Sequence, residues 1–338
     1  MRNSTHSLLL IAAVGFFRLG SLFVEVPQPR VALPERWRML LSTRRSTEML
    51  NFPAHDPARS IVIVPGNPGI PHLYCQFAEG LAKSMVEAAD LYILGYSNFV
   101  TESRPAAVAT IEEEAEEIRA CLEEIAEKGA EMVVVAHSIG AWCVLRHLQL
   151  ARYQKQLSLL VLAMPFLELD EISKESKQQR LRQLVMSRWG QLAVPGLARL
   201  LTWLPRFLQE KMAQSQGALP KSQVEEWLLS TFGEQPHHFE SMALMSITEF
   251  DLLIPGSVDS GFFLLEKFAG SGLRMLFLTV DVDTWCPKAQ ARRLDQFEVA
   301  LGPSAEHVRL GSVPHVFLYT EEHRRMVSDA IVEAIQKK

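Results

Sequence analysis

Met132-Val133-Val134-Val135-Ala136-His137-Ser138-Ile139-Gly140 is the stretch on which the reading of this chain turns. Met132–Ala136 is a short, unbroken apolar run rich in β-branched valine, the signature of a strand buried on both faces. Ile139–Leu150 then carries helical apolar spacing. Between them, Ala136-His137-Ser138-Ile139-Gly140 sets a serine at a strand-to-helix turn with small residues on either side. That is the layout of a nucleophile elbow, G-x-S-x-G, with alanine in the first position. The flanking residues must be small because the turn brings its backbone against neighbouring elements. The helix start beneath Ser138 favours negative charge developing there. A serine that only caps a helix would read the same over five residues, so the elbow needs chemical partners elsewhere in the chain.

Outward from this stretch, strands and helices alternate. Ser60–Val64 is a β-branched run stopped by Pro65-Gly66, and Leu73–Ala88 has helical spacing. Asp90–Leu94 is a second strand, and 105–128 an acidic helix whose Ile111, Ala115, Ile118, Leu122 and Ile125 recur at steps of three or four. Its glutamates read as a solvated face, and Lys128-Gly129 closes it. Leu157–Ala163, Arg274–Val280 and His307–Leu310 are further strands, and Glu321–Gln336 is a final helix. This alternation predicts an α/β fold with a mostly parallel sheet covered by helices on both faces.

Two regions depart from it. From Pro165 to Gly272 no convincing strand occurs, and 174–211 carries eight basic residues against Glu175 and Glu210, interspersed with Trp189, Trp203, Phe207 and several leucines. A structureless loop of that length is uncommon, so 166–272 reads as a helical cap insertion. Upstream, 1–47 carries seven arginines and an apolar run, Leu8–Phe17, broken by Arg18. A spanning helix needs roughly 20 apolar residues, so the run is short for one. A signal, a transit segment, an interfacial helix and an untargeted tail all fit. Pro27, Pro29 and Pro34 mark a boundary before a folded domain at 48–338.

Composition excludes several functions. The net charge is −5, from 34 basic and 39 acidic residues, which argues against binding nucleic acid by phosphate neutralisation. Cys75, Cys121, Cys143 and Cys286 form no C-x-x-C, so neither a zinc site nor a disulfide framework is indicated. No P-loop and no G-x-G-x-x-G occurs, so nucleotide binding has no support.

A serine hydroxyl needs a base, and the base an acid to orient it. In hydrolases with a nucleophile elbow the chain order is Ser, acid, His. The acid should follow a late strand, and Arg274–Val280 leads into Asp281 and Asp283, either of which suits. The histidine should follow the last strand. His315 does so after Gly311-Ser312-Val313-Pro314, whereas His307 lies within the strand and His323 on the final helix. An oxyanion hole needs backbone N–H groups aimed at the oxygen that gains charge. One should come from Ile139, and the other from the loop after the first core strand, Pro65-Gly66-Asn67-Pro68-Gly69. Proline has no N–H, so Gly66, Asn67 and Gly69 are the donors, and Asn67 is preferred. The chemistry calls for no metal or organic cofactor.

Pro65-Gly66-Asn67-Pro68-Gly69 with Tyr74 and Phe77, His137-Ser138-Ile139-Gly140, and Asp283-Thr284-Trp285-Cys286-Pro287 together resemble the lipid droplet-associated hydrolase family over about 61–315. The resemblance implies an α/β-hydrolase fold with its triad on Ser138, Asp283 and His315, and it selects Asp283 over Asp281. The family motif usually has histidine where this chain has Thr284, and glycine where it has Ala136. Also implied are a serine ester hydrolase acting on sterol esters or other neutral lipids, and an association with the lipid droplet or endoplasmic reticulum surface. The basic, aromatic insertion suits a membrane-facing cap, with apolar side chains entering the acyl boundary while Lys and Arg snorkel. A lid packed on its own domain has the same composition. A lipid-surface binding protein with little catalysis, and an organellar thioesterase or short-chain esterase, are the other readings.

Overall fold

The computed structural model describes residues 38–41, 47–55, 57–100, 108–170, 177–190 and 237–337, with isolated positions between 193 and 211. In chain order the strands are β1 (Arg38–Leu41), β2 (Glu48–Phe52), β3 (Arg59–Val64), β4 (Ala89–Leu94), β5 (Glu131–His137), β6 (Leu157–Ala163), β7 (Met275–Thr279) and β8 (Ala305–Arg309). They form one sheet in the order β1-β2-β4-β3-β5-β6-β7-β8. β1, β2 and β4 pair antiparallel, and every pair from β4 to β8 is parallel. The helices are α1 (Cys75–Ser84), α2 (Ile111–Ala126), α3 (Ile139–Leu148), α4 (Lys177–Met186), α5 (His237–Leu252), α6 (Gly261–Glu266), α7 (Lys288–Leu301) and α8 (Glu321–Gln336).

The centre of the sheet is where the sequence is most apolar. Ile61, Val62, Ile63 and Val64 of β3, Val134 of β5 and Leu160, Val161 and Leu162 of β6 are wholly buried. Each such side chain contributes roughly 1.5–3 kcal/mol relative to leaving it in water. The order in which strands are added reverses between β3 and β5: β3 leads through α1 to β4 on one side, and β4 leads through α2 to β5 on the other. Open α/β sheets bind ligands beyond the carboxyl ends of strands at such a switch point. The loop after β3 carries Asn67, and the turn after β5 carries Ser138.

The elbow shows why its last residue is glycine. A Cβ on Gly140 would lie 2.4 Å from the Pro65 carbonyl oxygen and 2.9 Å from that of Val64, so only a bare backbone lets α3 start against the end of β3. The first position is more forgiving. Ala136 sits wholly buried in β5 between Val64 and Leu162, and its methyl group is accommodated.

Several expectations shift. β1 lies inside 1–47 and pairs with β2, so the sheet begins upstream of position 48. α1 stops at Ser84, because Met85 is extended. β8 starts two residues before His307. α2 begins at Ile111 under a capping box between Thr110 and Glu113. Its glutamates are not all solvated. Glu114, Glu117 and Glu123 are buried. Glu114 accepts the Ser97 and Asn98 N–H groups and the Ser97 hydroxyl, while Glu123 pairs with Arg119. A helix with seven glutamates on its wheel has too narrow an apolar stripe to cover a sheet alone, and for Glu114 and Glu123 local donors make the extra burial tolerable.

The described part of the insertion is helical. α4 buries Gln178, Leu181 and Val185 and packs on α5. Gln178 donates to the Thr284 carbonyl and accepts from Asp170 N–H, tying the cap to the loop that holds Asp283. Arg188 and Trp189 are exposed. Leu8–Phe17 and Trp203 lie outside the described residues, among which no helix is long and apolar enough to cross a membrane.

Candidate active site

Ser138 stands at φ 55°, ψ −125°. A non-glycine residue there is strained by about 1–3 kcal/mol and persists only where its surroundings over-determine it. Here they do. Ser138 N–H donates to the Ala163 carbonyl at 3.0 Å, and its own carbonyl accepts from Phe166 N–H and Ala141 N–H, each at 3.1 Å. Gly66 presses from the next loop: a Cβ on it would lie 2.9 Å from Ser138 Cβ.

The chain is folded so that β7 and β8 deliver two more side chains to this edge. His315 Nε2 is 2.9 Å from Ser138 Oγ, and His315 Nδ1 is 2.8 Å from Asp283 Oδ2. A carboxylate only accepts, so the proton between them sits on Nδ1, and Nε2 is left to accept the serine O–H. The Asp283 side chain is fully buried, and that of His315 is 12% exposed. Burial alone would raise the Asp283 pKa. The adjacent imidazole and the N–H groups of Trp285 and Cys286 outweigh it and hold the carboxyl below its ordinary range. Asp281 is exposed. The structure thus brings Ser138, His315 and Asp283 together and leaves Asp281 outside. His307 is committed at the sheet edge to Asp295 and Thr279.

Asn67 and Ile139 line the same cavity as Ser138. Ile139 is the first residue of α3, so its N–H has no partner one turn back. Of the alternatives to Asn67, Gly66 has its N–H engaged, donating to the Tyr74 hydroxyl at 3.0 Å, and Gly69 is packed against the Tyr96 ring, where a Cβ would fall 2.2 Å from Cγ. The Asn67 side chain is anchored to α5, with Nδ2 donating to Met242 O, Ser246 Oγ and Glu249 Oε1 at 3.1, 3.2 and 2.8 Å.

Two residues act in ways that motif reading does not reveal. His137 Nε2 lies 3.0 Å from the His315 carbonyl, and Nδ1 lies 2.7 Å from the Tyr74 hydroxyl. A carbonyl can only accept, so Nε2 carries the proton and Nδ1 accepts from Tyr74. Burial, reinforced by the neighbouring His315, pushes the His137 pKa down to about 3, so the ring is neutral. One buried chain therefore runs from Gly66 N–H through Tyr74 and His137 to the backbone of His315. It links the loop after β3, the elbow and the base. Only the order Tyr74…His137 is visible in sequence; their meeting depends on how the helix after β3 packs. Tyr74→Phe leaves Gly66 N–H and His137 Nδ1 unpartnered in the interior. The expected loss is about 1–3 kcal/mol in urea unfolding, with a fall in kcat; unchanged values in both would remove the clamp.

The cavity over Ser138 is about 70 Å³ and mostly apolar, with Phe166, Leu181 and Trp285 in its wall. Trp285 meets Phe166 edge-on at 5.1 Å and stacks on Phe250 at 6.3 Å. Glu249 of α5 also lines it, 4% exposed. Burial pushes its pKa up to about 8, against the Asn67 hydrogen bond that lowers it. Among the described residues the one grouping with metal-ligand spacing is Asp295, Glu298 and His307. Its donor atoms are occupied by one another, by Thr279 and by Arg309.

Comparison with known proteins agrees with this architecture. The family model described as Lipid-droplet associated hydrolase matches residues 57–318. No curated protein matched the chain. Among solved structures, the haloalkane dehalogenase DatA from Agrobacterium tumefaciens C58 superposes with a TM-score of 0.62 at 16% identity, covering 90% of this chain and 98% of its own. An esterase from Thermogutta terrifontis gives 0.57 at 14% identity over 89% and 98%. The esterase EaEST from Exiguobacterium antarcticum gives 0.59 at 12% identity over 88% and 99%. At these identities the likeness establishes the α/β-hydrolase fold.

Proposed function

The chain belongs to the lipid-droplet associated hydrolase family, and we propose that it is a serine ester hydrolase acting on lipid esters, sterol esters or other neutral lipids, at a lipid droplet or endoplasmic reticulum surface. The observation that carries this reading is the bonded chain Ser138 Oγ, His315, Asp283 at the mouth of an apolar cavity. In the reaction, His315 Nε2 takes the Ser138 proton as Oγ attacks the ester carbonyl. The imidazolium is stabilised by Asp283, and the oxyanion is held by the N–H groups of Asn67 and Ile139. His315 returns the proton to the leaving alcohol, and a water molecule, activated by the same ring, releases the acid from the acyl-enzyme. The lining of Phe166, Leu181 and Trp285 suits an acyl chain and offers nothing to a charged one.

The lipid surface is assigned to the cap. Exposed Arg188 and Trp189 supply the pairing of cation and aromatic ring that settles at a headgroup boundary. The decisive experiment is covalent labelling with a fluorophosphonate and mapping of the modified peptide, together with hydrolysis of p-nitrophenyl esters of rising chain length. The expected outcome is modification of Ser138 and a kcat/KM that rises with acyl length. Labelling elsewhere, or none in folded protein, removes the esterase assignment. A preference for acetyl over long acyl chains returns the short-chain esterase.

A further inference from the structure

We propose that Glu249, with Asn67 and Ser246, forms a polar subsite beside the reacting ester that takes an uncharged hydroxyl or carbonyl oxygen of the substrate, and so favours esters of polyols, such as partial acylglycerols, over esters of sterols. This rests on the esterase reading and refines its substrate class.

The argument starts from what a carboxyl is doing in this cavity. Glu249 is 4% exposed and lines the space over Ser138. Among the described residues no Lys or Arg lines that space, and the side-chain donor that reaches Glu249 is Asn67. A buried carboxylate without a cation is costly and takes up a proton instead; its pKa stands at about 8. Since Oε1 accepts from Asn67 Nδ2 at 2.8 Å, the acidic proton belongs on Oε2. A neutral carboxyl then offers one donor and spare acceptor capacity, the same complement as an alcohol.

The subsite is close to the chemistry. Its link to the reacting carbonyl is one residue, because Asn67 supplies both the amide proposed for the oxyanion and the side chain bonded to Glu249. The cavity is about 70 Å³, room for the ester group and a few atoms next to it. What sits against Glu249 is therefore what flanks the scissile bond. In a glycerol ester that is a second oxygen, two carbons from the ester oxygen. In a sterol ester it is ring hydrocarbon. A buried donor left unmatched costs about 1–3 kcal/mol, and a site built to bond a hydroxyl rejects analogues that lack it far more strongly than an apolar pocket rejects an extra methylene. An anionic substituent finds no Lys or Arg counter-charge among the described lining residues.

The test compares kcat/KM for 2,3-dihydroxypropyl octanoate, propyl octanoate and cholesteryl octanoate in one micelle preparation, using the full chain, Glu249→Gln and Glu249→Leu. The parent is expected to favour the dihydroxypropyl ester over the propyl ester by roughly tenfold or more. Gln, which both donates and accepts, should keep most of that preference. Leu should bring the ratio near one and raise cholesteryl octanoate relative to the dihydroxypropyl ester. Because each ratio is taken within one preparation, an inactive fraction cancels. Equal ratios in parent and Leu variant, or a parent that favours propyl octanoate, overturn the subsite even while Ser138 takes up fluorophosphonate. If no ester is hydrolysed and Ser138 is not labelled, the esterase reading fails and the subsite with it.

Discussion

Ser138→Ala is expected to lower kcat for ester hydrolysis by about 10⁶-fold, to the level of the background reaction with the remaining site, and to abolish fluorophosphonate labelling. The substitution removes one oxygen. It leaves the turn as strained as before, because alanine at φ 55° meets the same Cβ clash as serine, and the three backbone hydrogen bonds that hold the turn involve no side chain. Circular dichroism and the unfolding midpoint should therefore stay close to the parent, so that loss of activity reads as loss of the nucleophile. A variant that keeps more than a few per cent of parental kcat would mean that another group attacks the ester.

Asp283→Asn comes second, with an expected fall in kcat of about 10⁴-fold. The geometry of the bond to His315 Nδ1 survives, but an amide can turn its N–H toward the ring. Nδ1 then accepts, the ring proton moves to Nε2, and Nε2 can no longer take the proton of Ser138. The comparison that matters is with Asp281→Asn, at an exposed position, which should change kcat less than twofold (roughly, as for surface substitutions away from special features). Similar losses in both would dismiss Asp283 as the orienting acid. There is also a stability signature. The Asp283 pKa lies below its ordinary 3.8 in the folded protein. Its ionised form therefore stabilises the fold at pH above that value, and the contribution disappears as pH falls through the lower, folded value. The Asn variant should lack that part of the acid dependence.

The core of the fold was written plainly in the chain. β3, β5 and β6 are continuous β-branched or leucine-rich runs because both of their faces are buried, and such runs have few other uses. The hairpin partner β2 was invisible for the opposite reason. Its Glu48 and Asn51 are buried polar residues, with Asn51 Nδ2 donating to the Leu91 carbonyl of the neighbouring strand, so no alternation marks it. α7 carries no visible periodicity, because it buries only Gln290, Ala291 and Leu294, too thin a stripe. At the site, Ser138 and His315 were placed by motif and chain order, which are statements about topology. The choice between Asp281 and Asp283 needed the family pattern, because two residues of spacing decide whether a carboxyl enters the site or solvent, and loops do not announce their turn. Glu249 and the Tyr74–His137 clamp could not be read at all. Nothing local distinguishes a glutamate on a helix that happens to close over a cavity from one that faces water.

The order of the three groups along the chain sets when the molecule can act. The serine stands at position 138, yet its proton acceptor is residue 315, whose main-chain carbonyl is held by the ring of the residue preceding the serine. During synthesis the hydroxyl thus lacks its proton acceptor until residue 315 has left the ribosome and β8 has docked, so a copy cut between the two positions carries an intact elbow without its base.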